Sequence, residues 1–151
     1  MSRRLRGDDG QVAGIESVPF GLLVLVVGIL LVAHTWAVVD AKFVATTAAR
    51  EATRAYVESD DADAAQQDAR RAAADAVRRS GRSPTDLDLE QTTSGFGRCV
   101  RSRFEARFRI PTLGMPWRSD RPSVTVRAGH QEVVDPYRDG LAGSADCRVG
   151  S

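Results

Sequence analysis

The chain of 151 residues contains no asparagine, a single lysine (Lys42), two cysteines and two histidines. Without asparagine there is no acceptor for N-glycosylation. His34 and His130 lie far apart, and no zinc-ligand spacing, nucleophile elbow, phosphate loop or dinucleotide fingerprint occurs. The chain also lacks an excess of either charge, with a formal net charge of +1. That argues against a general nucleic-acid binder, which needs a concentrated basic face. Asp60, Asp61, Asp63 and Asp68 lack the turn glycine and terminal glutamate of a calcium loop, so they read as helix-capping acids. His130 and Glu132 are close in sequence but have no nucleophile beside them. No catalytic residue, metal site or cofactor is therefore expected, and a structural or binding role is.

Residues 18–39 contain no Asp, Glu, Lys or Arg and are dominated by Leu, Val and Ile. At a rise of about 1.5 Å per residue, roughly 20 helical residues cross the hydrocarbon core of a bilayer. A lone spanning segment must be helical, because every backbone polar group there has to be satisfied internally. The run is longer than the core of a secretory signal and lacks a small-residue cleavage site, which predicts retention in the membrane. Arg3, Arg4 and Arg6 precede it and place the N-terminus in the cytoplasm, although Lys42 and Arg50 on the far side reduce the asymmetry. Glu16 stands two residues before the run. A carboxylate at lipid depth must be paired, and marks a functional site; at the interface it would instead favour the helix dipole. Pro19 suits a first helical turn. Gly21 and Gly28 share one helix face, which permits close helix approach in lipid or is ordinary glycine use there. Trp36 fits the interfacial belt, and His34 reads as an interfacial polar residue.

Beyond the run, residues 40–58 carry strong helix formers and no Gly or Pro, predicting that the membrane helix continues as a stalk. Phe43, Ala45, Ala48, Ala49, Ala52, Ala55 and Tyr56 are read as its apolar face. Ser59 or Asp60 is expected to cap a second helix that ends at Gly81, with Arg78 and Arg79 at its negative end. Leu87 and Leu89 alternate with acids in a short strand. Residues 99–111 alternate Val100, Phe104, Ala106, Phe108 and Ile110 with Arg101, Arg103, Glu105, Arg107 and Arg109, which is one strand of a sheet covered on one face. The arginine row reads as a solvated face, with a nucleic-acid or anionic-surface patch as the alternative. A proline-rich loop with Met115 and Trp117 leads to a third strand over 123–128, with Val124 and Val126 inward.

The leader arginines, the segment from Arg6-Gly7-Asp8-Asp9-Gly10-Gln11 to Glu16 and the long apolar helix together resemble the class III signals of the type IV pilin group. More narrowly they resemble the TadE-like pseudopilins of tight-adherence (Flp) pili. The resemblance implies cleavage by a prepilin peptidase between Gly10 and Gln11, and assembly guided by Glu16 paired with a neighbour's amino terminus. The spacing departs from the family: cleavage after Gly10 makes Glu16 the sixth mature residue rather than the fifth, and cleavage after Gly14 makes it the second. Asp135-Pro136-Tyr137-Arg138 is similar, more loosely, to a motif near the extracytoplasmic end of that family.

The expected fold class is α+β and pilin-like, with a long N-terminal transmembrane helix, a second helix and a small antiparallel sheet. The expected divisions are a cytoplasmic leader (1–15), a transmembrane helix (16–39), a helical stalk with the second helix (40–81) and an extracytoplasmic β-rich head (82–151). In an oxidising compartment Cys99 and Cys147 are expected to form a disulfide, with two separate buried thiols as the alternative. The expected function is that of a minor pilin or pseudopilin in pilus assembly, adhesion or secretion. Its partners would be the lipid bilayer, other pilin or pilus-assembly subunits and the prepilin peptidase, with no nucleic acid. A single-pass, membrane-anchored extracytoplasmic binding module outside any filament is the alternative.

Overall fold

The structure, a computed structural model, describes residues 17–93, 95–111, 123–144 and 146–147. The elements are helix α1 (Ser17–Glu58), helix α2 (Ala62–Arg79), a 3₁₀ turn (Pro84–Asp86) and strands β1 (Leu87–Thr93), β2 (Arg101–Pro111) and β3 (Ser123–Val133). The layout is α+β. The chain divides into two compact units between Trp36 and Ala37, a boundary that falls inside α1.

The first unit, over its described residues, is helix alone. Its large side chains from Val18 to Val32 and Trp36 are exposed, and a side chain added at Gly21 or Gly28 would stand in open space. The helix is long and apolar enough to cross a membrane, and none of its most apolar window is buried.

The second unit has one core. The sheet order is β1-β2-β3, antiparallel throughout, with Leu87 opposite Phe108 on one side of β2 and Phe108 opposite Val126 on the other. Phe104, Ala106, Phe108 and Ile110 of β2 face inward with Val126 and Ala128 of β3. Against them pack the alanines of α1 (Ala41, Ala45, Ala48, Ala49, Ala52) and of α2 (Ala65, Ala69, Ala73), so the helical segments and the sheet share that core. Alanine faces let helix backbones come close, and the two phenylalanines supply the volume that alanine lacks. Tyr56 stands edge-on to Phe96 and Phe104, at ring separations of 5.4 and 5.2 Å, and its hydroxyl donates to the Gly95 carbonyl at 3.1 Å. Thr53, fully buried, donates to the Ala49 carbonyl at 2.7 Å. Ser102 also points inward, a position the apolar pattern did not select.

Four expectations are corrected. Phe43 is not on the buried face of α1; it is 69% exposed. It lies two residues from Ala45, about 200° round a helix of 3.6 residues per turn. The cap of α2 is Asp61, whose carboxylate accepts from the backbone N–H of Asp63 and Ala64, both at 2.9 Å. Ser59 and Asp60 are engaged elsewhere, with Asp68 and Arg138. β3 continues past 128 to Val133. Gly129 does not end it; a side chain there would crowd the Arg103 guanidinium, which lies across that position. Val124 is exposed and Val100 precedes β2, so neither belongs to the core. Gly81 does stop α2: its φ is +71°, the Arg82 N–H reaches the Val77 carbonyl at 3.2 Å and the Gly81 N–H the Arg78 carbonyl at 2.9 Å. This is the paired bonding of a Schellman motif.

Because the helix faces are alanine, the core tolerates loss at the sheet and gain at the helix differently. Phe104→Ala leaves a cavity and is expected to cost about 3–5 kcal/mol. Ala49→Leu overpacks the seam and is expected to cost about 1–3 kcal/mol. Chemical unfolding followed by far-UV circular dichroism checks both; an Ala49→Leu protein as stable as the parent would mean that the seam is loose.

Candidate functional site

The sequence marks Gly10, Gln11 and Glu16 for processing and assembly, and all three lie outside the described residues. What the structure describes is the surface that follows them. In water, each large apolar side chain left exposed forgoes roughly 1.5–3 kcal/mol of burial. Twelve such residues, from Val18 to Val32, stand exposed on α1, so leaving this helix in water forgoes on the order of 20 kcal/mol. Thr35, the polar residue near its end, donates its hydroxyl back to the Leu31 carbonyl at 2.9 Å. The helix surface therefore asks for hydrocarbon and offers it no unsatisfied hydroxyl donor.

A second feature is the cross-linked end of the second unit. Cys99 and Cys147 are joined by a disulfide, with Cα atoms 5.1 Å apart. Cys99 sits at φ +63°, a left-handed conformation unusual for a side-chain-bearing residue. It is held there by its N–H donating to the Val134 carbonyl at 3.1 Å, and by the chain around it. The Arg98 N–H donates to the Ala142 carbonyl at 2.9 Å, and Gly97 and Gly143 permit the close approach of the two segments. In the chain-entropy model a closed loop of this size stabilises the fold by about 4 kcal/mol.

The Asp135-Pro136-Tyr137-Arg138 turn is bound to the same end. The Asp135 carboxylate accepts from the Tyr137 N–H at 2.9 Å. Arg138 donates to the Val57 carbonyl at 2.7 Å, to the Glu58 carbonyl, and to the Asp60 carboxylate at 3.0 Å. Those carbonyls are the orphan acceptors at the C-terminus of α1, where the helix dipole also favours a cation. Arg98 in turn donates to the Arg138 carbonyl at 2.8 Å. Tyr137 is left 81% exposed on this fixed turn. Nothing in the sequence announces the Arg138 cap, because its acceptors lie some 80 residues away.

The outward sheet face is partly neutralised. Arg107 bonds Glu105 at 3.0 Å and Glu90 at 2.7 Å. The hydrogen bond from Arg107 holds the Glu105 carboxyl below the usual range, more than its partial burial raises it. Among the described residues, Arg101, Arg103, Arg109 and Arg127 have no salt-bridge partner. His130 contacts Glu132 at 3.1 Å, and the Thr53 hydroxyl meets the His130 carbonyl at 3.3 Å. No group of three or more His, Cys, Asp or Glu able to hold a metal occurs among the described residues. Compared with protein-family models, curated proteins and solved structures, the chain matches none.

Arg138→Ala removes charged donors from two helix-end carbonyls and is expected to cost about 1.5–3 kcal/mol, read as a fall in the thermal midpoint. Arg138→Lys is expected to restore only part of it, since one ammonium cannot span the same acceptors. A depressed carboxyl pKa gives stability that is present above the ordinary value, 4.5 for Glu105, and is lost as pH falls through the folded value. Thermal melts across the acid range are expected to show this loss, and Glu105→Gln to reduce it.

Proposed function

We propose that this protein is a minor pilin or pseudopilin of a tight-adherence pilus, structural rather than catalytic. The segment 16–39 crosses the membrane, the arginine leader stays in the cytoplasm and the chain beyond residue 39 lies on the other side. One observation carries the reading: a helical run without Asp, Glu, Lys or Arg, whose large apolar side chains from Val18 to Val32 are exposed, follows the arginines, Gly10 and Glu16. Such a helix holds a subunit in the bilayer, and a carboxylate at its cytoplasmic end needs a cationic partner. The amino terminus of a neighbouring processed subunit would supply one. The disulfide supports an oxidising location for the second unit. One feature favours the second reading, a single-pass binding module outside a filament: the exposed Tyr137 on its fixed turn is the kind of aromatic that anchors a partner protein.

N-terminal sequencing of the membrane-fraction protein, made with and without the prepilin peptidase, tests the first reading. The expected result is a start at Gln11 with the peptidase and an unprocessed start without it; an unprocessed start in both overturns it. Glu16→Ala separates the two readings. It is expected to abolish co-purification with pilin subunits while the protein stays in the membrane, and an unchanged complex favours the binding module.

A further inference from the structure

We propose that the second unit holds an anionic phospholipid of the bilayer in a groove on the outer turns of α1, an inference that rests on the segment 16–39 crossing the membrane. Val39, Lys42, Phe43, Thr47, Arg50 and Val126 line an open groove of about 450 Å3. Two of its apolar residues are uncovered: Phe43 is 69% and Val39 is 42% exposed. Its charged part is of one sign, because Lys42 and Arg50 line it and no Asp or Glu does. Lys42 spends one N–H on the Arg127 carbonyl, and an ammonium has three. Arg50 has no ion-pair partner among the described residues. The hydroxyls of Thr46 and Thr47 donate back to the Lys42 and Phe43 carbonyls at 2.8 and 3.0 Å, so they supply no free donor.

An occupant that satisfies this groove has an apolar body and a negative head. A free phosphate would answer the cations and leave Phe43 in water. Position selects the phospholipid. Lys42 follows the charge-free run by three residues, about 4.5 Å of helix, and the headgroup layer on each side of the hydrocarbon is roughly 5–8 Å deep. Arg50 lies eleven residues past the run, about 16 Å of helix, and its side chain covers the turn N-terminal to its own Cα, so the guanidinium reaches back toward the outer edge of that layer. Val39 and Phe43 then meet the upper part of the acyl chains, Lys42 the phosphate and Arg50 the outer part of the headgroup. Each Lys or Arg near an anionic leaflet contributes about 1 kcal/mol, a factor of about five in retention.

The test uses the full chain, released from nanodiscs made of equal parts phosphatidylcholine and phosphatidylglycerol, with native mass spectrometry to count retained lipid. The expected result is preferential retention of phosphatidylglycerol. Arg50→Gln is expected to reduce that preference about fivefold and Arg50→Lys to preserve it. Phe43→Ser is expected to weaken retention of both lipids. Equal retention of the two lipids overturns the proposal, as does a preference unchanged by Arg50→Gln. A photoreactive phenylalanine analogue at position 43 is expected to label lipid; labelling a second copy of the chain, or another protein, overturns it. Alkaline carbonate washing of the membranes separates the two failures. Protein that stays in the membrane without a lipid preference sinks this inference alone; protein that washes off sinks the membrane-crossing reading and this inference with it.

Discussion

Aliphatic side chains that no described part of the chain covers call for an apolar surrounding. Between residues 17 and 36 the helix buries none of its most apolar window, and it carries the largest share of the exposed apolar residues. An isolated helix in lipid satisfies its own backbone, so no partner strand or second helix is needed to make it stable there. From Ala41 onward the same helix buries one face. Its alanines turn to a sheet, and its charged residues to water.

That change from an exposed to a packed face goes with the composition of the second unit. A helix face made of alanine buries little area per residue, so the sheet must bring the bulk. Phe104 and Phe108 do so from the central strand, and Tyr56 joins them from α1, satisfying its hydroxyl on Gly95. The core is correspondingly modest. The remaining constraint comes from outside it, from the disulfide and from the Arg138 cap, both at the end where α1 stops.

Much of the fold was legible because period and composition are local signals. The charge-free run, the alternation of β2 and the glycine stop of α2 each follow from a few adjacent residues. The exact cap of α2 was not, because Ser59, Asp60 and Asp61 are chemically near-equivalent and the choice depends on Asp68 and Arg138 drawing the first two away. The length of β3 was hidden by Gly129, which looks like a break until Arg103 is seen lying across it. Phe43 was assigned by residue type rather than by angle. Of the candidate site, the apolar helix and the cysteine pair could be read directly, whereas the Arg138 contacts join segments that only folding brings together. Gly10, Gln11 and Glu16 rest on the leader sequence itself.

The disulfide between Cys99 and Cys147 closes a covalent ring, and β2, β3 and Arg138 all lie within it. Arg138 clasps the last carbonyls of α1 from inside that ring. The clasp on the end of α1 is thus carried by a segment fixed at both ends, by β3 before it and by the sulfur bond after it.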